Sequence, residues 1–356
     1  LEPTRKWSTW WGWPSRRPRH RITSGSGGNI VSAVRKQLFL SWEPSNSRSA
    51  TLAREFSADC EFVHYLALKR PLLAPIKYVM QSVRSWQILR KRRPEIVFVQ
   101  NPPLFAPLAV WLYCRFSGIP FIMDSHTGVF LEPKWRWLGS LHKFLARRAR
   151  VSIVTNDYLG QFVRSWGGEY FVFPDVPTEF PDAKRIDQRP DNFVLVVNSF
   201  SYDEPLDEII EAARKLPTVS FAVTGDVRRC PQQLLDDAPE NVRFTGFVSR
   251  GEYVNLLNSA DAAVVLTRED HTMQRGAYEA MSLGVPIVTS DWPLLRETFF
   301  KGTLHTDNTA ETIVAALNDI LDNKHVFRSE IADLKRQRRA IWAEKLTQFS
   351  TQYLKN

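Results

Sequence analysis

Between Thr267 and Glu279 the chain reads Thr267-Arg268-Glu269-Asp270-His271-Thr272-Met273-Gln274-Arg275-Gly276-Ala277-Tyr278-Glu279, a polar loop running into a helical stretch. A helix that opens near Thr272 presents unpaired backbone N–H groups at its start, and its dipole favours a phosphate there. Arg275 is placed to add a charge-assisted contact to a diphosphate. Glu279, two turns further in, offers two carboxylate oxygens that can accept from the vicinal hydroxyls of a ribose. Proton transfer needs another group, and by position the candidates are His126, Asp124 and Asp270. Each has a plainer reading. Glu279 is also what the surface of an amphipathic helix carries, His126 is also a helix-capping histidine, and Asp270, His271 and Thr272 are also ordinary cap residues.

Such groups need a scaffold that brings loops together. From Gln37 onward, apolar strand-like runs alternate with helical stretches, including Gln37–Trp42, Glu95–Gln100, Pro120–Asp124 and Val151–Thr155. Continuous apolar strands between amphipathic helices predict a parallel sheet covered on both faces. The rhythm breaks over Pro174 to Asp191, where prolines and charges replace periodicity, and then restarts at Phe193. The expected fold class is therefore α/β, with two doubly wound, Rossmann-like domains facing a cleft that binds ligands at the strand ends. The expected division is an extension outside the fold over 1–36, an N-terminal domain over 37–175, a linker over 176–191 and a C-terminal domain over 192–356, whose last helix crosses back to the first domain.

On these residues the chain resembles the retaining GT-B glycosyltransferases, especially glycosyltransferase family 4. Glu279-Ala280-Met281-Ser282-Leu283-Gly284-Val285-Pro286-Ile287-Val288-Thr289 is similar to the second half of that family's E-x7-E donor-binding segment. His271 stands where the family has its first glutamate. The resemblance implies that Thr272, Met273, Gln274, Arg275, Gly276 and Glu279 hold the donor and that Asp270 or His271 faces its sugar. It extends to Val242-Arg243-Phe244-Thr245-Gly246-Phe247, where Gly246 and Phe247 would meet the base. It extends also to Gly225-Asp226, and to Asp124-Ser125-His126, whose histidine would lie beside the sugar. The family's arginine and lysine after the first strand of the C-terminal domain are missing. The loop there is Asn198-Ser199-Phe200-Ser201-Tyr202-Asp203-Glu204-Pro205, which looks more like that of the eukaryotic chitobiosyldiphosphodolichol β-mannosyltransferase, an inverting GT-B enzyme. Ser199, Thr272 and backbone amides would then share the donor, with Arg275 or Arg48 supplying charge, and Phe200 of the same loop counts among the donor-binding residues.

Composition bounds the alternatives. Hydrophobic residues make up 44% of the 356, enough to bury cores, and the net charge is +9. Seven of those nine charges fall in residues 1–36, so the remainder is nearly neutral, which argues against a nucleic-acid partner. There is no Walker A or G-x-G-x-x-G sequence, no DxD triplet and no metal-spaced histidine cluster. No metal and no bound cofactor are expected; the nucleotide sugar is a substrate, with UDP or GDP favoured over ADP. Cys60, Cys114 and Cys230 lie far apart without a CxxC pair, which suits a reducing cytoplasm.

Two basic-aromatic stretches, Lys77-Tyr78 to Arg84-Ser85-Trp86 with Arg90-Lys91-Arg92-Arg93, and Lys134-Trp135-Arg136-Trp137 to Arg147-Arg148, read either as interfacial helices or as solvated faces over buried aromatics. The resemblance thus implies a metal-independent glycosyltransferase with a glycan, lipid-linked or other hydroxyl acceptor. It would work in polysaccharide assembly in the cytoplasm, peripheral on the inner, anionic face of the membrane. The rival expectations are a GT-B nucleotide-sugar epimerase and a non-catalytic GT-B-fold subunit.

Overall fold

The computed structural model describes residues 36–44, 46–65, 74–132, 135, 137–175 and 177–354. The expected extension over 1–36 falls, Lys36 apart, outside the described residues.

The first half runs β1 (Gln37–Ser41), α1 (Ser47–Glu55), β2 (Asp59–Phe62), α2 (Ala74–Arg92), β3 (Ile96–Asn101), α3 (Phe105–Ser117), β4 (Phe121–Ser125), α4 (Thr127–Leu131), α5 (Gly139–Ala146), β5 (Ser152–Val154), α6 (Asp157–Ser165) and β6 (Tyr170–Val172). Its strands lie in the order β2-β1-β3-β4-β5-β6 and pair in parallel. The run Ile-Val-Phe-Val-Gln-Asn of β3 is buried at every position, as a strand with helices on both faces must be.

The second half runs β7 (Phe193–Val196), α7 (Leu206–Lys215), β8 (Ser220–Thr224), α8 (Gln232–Asp236), β9 (Val242–Gly246), α9 (Arg250–Ser259), β10 (Ala262–Val265), α10 (Arg275–Leu283), β11 (Ile287–Ser290), α11 (Pro293–Thr298), β12 (Thr303–Thr306), α12 (Ala310–Asp322) and α13 (Lys324–Phe349). Its parallel order is β12-β11-β10-β7-β8-β9, with Val264 opposite Val196 where β10 meets β7. Each sheet reverses its winding once, between β1 and β3 and between β7 and β10. In a doubly wound sheet the loops diverge at that point and leave a crevice at the strand ends.

The short helices α4, α8 and α11 are not predicted from the sequence; at five, five and six residues they hold too few turns to show a period. Residues 177–191 form no regular element but are laced to the second half. Thr178 N donates to Ser282 Oγ (2.9 Å), Lys184 N to Asn255 Oδ1 (2.9 Å) and Ile186 N to Ser259 Oγ (2.8 Å). Helix α13 leaves from the second core, where Ile331 and Leu334 are fully buried, and ends with Trp342 and Phe349 packed among Phe39, Phe98 and Phe173 of the first.

Candidate functional site

The carboxyl ends of β7, β8, β9 and β10 carry most of the sequence-predicted donor residues. Gly225 takes φ +133°, and a Cβ there would lie 2.6 Å from the Phe200 ring and 2.7 Å from Asn198 O. Only glycine lets the ends of β7 and β8 approach this closely. Phe200 itself has φ +56°, fixed by its N–H donating to Asn198 Oδ1 (2.7 Å). Gly246 turns through φ +71°, leaving Phe247 largely exposed at the tip.

Several expected roles change here. Ser199 is not free for a donor: its N–H and hydroxyl both donate to Glu204, at 2.8 and 3.1 Å. Asp226 caps the short turn after β8 and takes a fork from Arg228, with Nε at 2.7 Å and Nη2 at 2.6 Å. The helix after the polar loop begins at Arg275, as the periodic run Arg275–Ser282 predicts, and not near Thr272, where the phosphate site is expected. Its N-cap is Gln274, without a side-chain cap bond, so the unpaired N–H groups sit about one turn later than expected. Thr272 and Met273 therefore belong to the loop, and neither Asp270 nor His271 caps the helix. Asp270 accepts from His271 N (2.6 Å), and His271 adopts φ +59°. The His271 ring stacks on Tyr158 of α6 (3.8 Å between centroids), and Asn156 Nδ2 donates to His271 O (3.1 Å). The loop after β10 thus reaches across to the first sheet's half. Gly276 lets α10 press on β7 and β10, since a Cβ there would meet Val197 at 2.7 Å.

On the first sheet, Asp124 is wholly buried at the end of β4. His126 Nε2 lies 3.0 Å from one of its oxygens and Arg48 Nε 3.2 Å from the other. Arg48 Nη1 then bonds Asp175 (2.6 Å) and Nη2 bonds Phe173 O (3.1 Å). Arg48 is therefore committed to two carboxylates and supplies no charge to a ligand, and Asp124 is too enclosed to meet an acceptor directly. The next link comes from the other half. Arg275 Nη1 lies 3.4 Å from Asp175, its Nη2 donates to Thr178 Oγ1 (3.4 Å), and its Nε is 3.5 Å from Glu279. The Glu279 oxygens accept from Arg250 Nη1 (2.9 Å) and Tyr253 Oη (2.7 Å).

The result is one ladder of alternating charge, Asp124, Arg48, Asp175, Arg275, Glu279 and Arg250, with His126 at the Asp124 end. It runs from the end of β4 to helices α9 and α10. Burial alone would raise the Asp124 carboxyl, but Arg48 and His126 hold it below the usual carboxylate range; Asp175 is held down likewise against burial, by Arg48 and Arg275. Burial also opposes the Arg48 charge, and the two aspartates outweigh it. Arg275 is the loosest rung. Its contacts are at the long end of ion-pair range, and neither Nε nor Nη1 makes a hydrogen bond among the described residues.

Sequence reasoning missed Asp175, Arg250 and Tyr253. The only signal for Asp175 was its place at the first break in the strand-helix rhythm. Among the described residues no group of three or more His, Cys, Asp or Glu is arranged to hold a metal ion.

Two parallel sheets wound as Rossmann-like units, with polar groups converging from the strand ends of both, define the GT-B fold class. Residues 32–174 match the family described as glycosyl transferase 4-like domain, and residues 179–340 that described as glycosyl transferases group 1. Together the matches take in most of the chain, and it belongs to the GT4-like, group 1 glycosyltransferases; it is an enzyme of that kind. No curated protein matches in sequence.

The fold is similar to that of sucrose-phosphate synthase from Thermosynechococcus elongatus (TM-score 0.70, 15% identity, covering 90% of this chain and 98% of that one). It is similar also to Anabaena HepE in complex with UDP-glucose (TM-score 0.66, 16% identity, 89% and 100%). A putative UDP-N-acetylglucosamine 2-epimerase from Listeria monocytogenes shares it at TM-score 0.56 and 11% identity, covering 89% and 97%.

Proposed function

We propose that the protein moves a sugar from a UDP- or GDP-linked donor to a hydroxyl on a glycan or lipid-linked acceptor, without a metal ion. Residues 192–356 hold the donor and residues 37–175 the acceptor. It acts in the cytoplasm, peripheral on the inner face of a membrane, in polysaccharide assembly. The observation that carries this reading is Arg275. Its guanidinium stands at the start of α10 beside Glu279, loosely held between two carboxylates. The UDP and UDP-glucose complexes of Anabaena HepE, a structural neighbour, support a uridine donor.

The chemistry follows from charge. Departure of a nucleoside diphosphate concentrates negative charge on the leaving oxygen. Arg275, together with the first N–H groups of α10, provides fixed positive charge and donors for it. Glu279 retains lone pairs beyond those given to Arg250 and Tyr253, and these receive the ribose hydroxyls. On the acceptor side, His126 donates from Nε2 to the ionised Asp124, which leaves Nδ1 with the lone pair that takes the acceptor's proton.

A turnover screen over UDP-, GDP- and ADP-sugars tests the reading. Wild type is expected to release the nucleoside diphosphate from one class. Arg275→Ala and Glu279→Gln are expected to weaken donor binding by about tenfold or more, the loss of a charge-assisted contact. Unchanged donor affinity in both variants refutes the assignment. Turnover that only interconverts sugar nucleotides, with no acceptor product, favours an epimerase.

A further inference from the structure

Helix α2 is apolar on two sides. Its sheet-facing side buries Ile88 and Leu89 and, beside them, the polar Gln81 and Ser85. Gln81 Nε2 donates to Val63 O (2.7 Å), and Ser85 Oγ accepts from Trp42 Nε1 (2.9 Å). Its other side exposes Val79 (63%) and Val83 (54%). Together with Tyr78, Trp86 and the Phe105, Leu108 and Leu112 stripe of α3, these residues line a groove of about 930 Å³ that Trp137 borders. Phe116 (78% exposed) and Trp137 (73%) continue the apolar surface beyond it. A soluble face does not ordinarily leave so many large apolar side chains together; such a patch marks a binding surface.

The charges around it say what it binds. Helix α2 carries Lys77, Arg84, Arg90 and Lys91 besides Arg92, which is paired with Glu61 of β2 (2.6 Å); α3 carries Arg115 and α5 carries Lys143, while none of the three helices has a single carboxylate. A second copy of this chain seated here would set cation against cation, which disfavours a self-complementary dimer. Anionic headgroups over hydrocarbon complement both features at once. Of the basic-aromatic stretches singled out in the sequence, the first forms this face; Lys134 and Arg136 of the second lie outside the described residues.

We propose that the α2–α3 face seats on an anionic phospholipid bilayer and that its groove takes a hydrocarbon chain of that bilayer. This rests on the reading of the protein as a transferase working at a membrane face. It adds which face docks, and it sets the first sheet's half against the lipid.

Flotation of the full chain with vesicles tests it. Vesicles of phosphatidylcholine containing phosphatidylglycerol are expected to carry the protein at low salt and to release it at high salt. Phosphatidylcholine alone is expected to leave it behind. Val83→Glu and Leu112→Glu are each expected to weaken binding at least about tenfold by placing charge against hydrocarbon. Arg84→Gln and Lys91→Gln should each weaken it about fivefold. Dihexanoyl phosphatidylglycerol, kept below its micelle concentration, is expected to raise the melting temperature of wild type but not of Val83→Glu, and glycerol phosphate to raise neither.

No flotation, or flotation untouched by the glutamate variants, overturns the docking face. Vesicle binding without stabilisation by the soluble lipid overturns the groove. A concentration-dependent dimer abolished by Val83→Glu identifies a second copy as the occupant and overturns both. Vesicle-free sugar-nucleotide turnover and the urea midpoint, unchanged in Val83→Glu, show that the variant is folded. Loss of that turnover in wild type fails the transferase reading while the flotation result stands by itself.

Discussion

Replacing Arg48 with methionine tests whether the charge ladder has the energetics its geometry implies. The side chain of Arg48 is 9% exposed, those of its partners Asp124 and Asp175 are 0% and 9%, and both ion pairs form hydrogen bonds. Taking the cation away leaves carboxylates in low dielectric with weaker company. Asp175 keeps Arg275 at 3.4 Å, while Asp124 keeps, among the described residues, His126 at 3.0 Å. Breaking a buried pair in this way costs about 3–5 kcal/mol at neutral pH. That corresponds to a fall of about 1–2 M in the urea midpoint at the slope usual for a chain of this size.

The pH dependence makes the prediction specific. In wild type both aspartates titrate below their ordinary range, so their contribution is fully present above about pH 4, the unfolded value, and is lost only as pH falls through the depressed folded values. In Arg48→Met the burial that Arg48 had outweighed takes over, and the folded values rise above the unfolded one. The variant's deficit should therefore be greatest near pH 7 and shrink as pH falls toward 4, because protonation removes the unpaired charge. Adding Asp175→Asn to Arg48→Met should recover part of the loss. A deficit that does not change between pH 7 and pH 4, or one under about 0.5 kcal/mol, the range of an ordinary surface substitution, would refute the reasoning.

His142 should impose a separate acid sensitivity. It is 2% exposed, packed on Phe130 and Trp166, with Nε2 3.2 Å from Asn101 Nδ2, and burial pushes its pKa down to about 4 from 6.5. Stability should fall by up to about 3 kcal/mol as pH drops from 6.5 to 4, because the unfolded chain takes up the proton first. In His142→Gln the urea midpoint should be flatter over that window. Gly225→Ala should cost about 2 kcal/mol, since φ +133° is strained for alanine and the Cβ would press on Asn198 O. The same change should weaken donor binding by displacing Phe200, and isothermal titration with UDP and GDP would check it.

What the sequence made legible was whatever is encoded within one turn or one strand. The run from Glu279 to Thr289 identifies its helix and strand because a helix of nine residues closed by a left-handed glycine, followed by a fully buried strand, is a local pattern. The ladder was not legible in that way. Arg48 and Asp175 are 127 residues apart, and nothing near either one signals that a third charge, on α10, completes the set. The same limit explains Ser199. Its hydroxyl looked available until Glu204, five positions on, folded back over it.

Helix α2 shows a different limit, in which a local pattern is clear but leaves open whether its basic-aromatic run is an interfacial helix or a solvated face over buried aromatics. An apolar stripe at helical spacing is ordinarily the buried one, because burial of such a stripe stabilises the fold. In α2 Ile88 and Leu89 follow that rule, but Gln81 and Ser85 share the buried face, because the segments after β1 and β2 present Trp42 Nε1 and Val63 O to that side and a polar partner must meet them. Val79 and Val83 lie on the other side, exposed beside α3. Burying Gln81 and Ser85 also makes the helix hard to flip, since reversing it would strand two buried polar groups and the Trp42 indole without partners, at about 1–3 kcal/mol for each. The exposed valines are thus a fixed feature of the fold, and a lipid chain lying in the groove would cover them without any rearrangement of the helix.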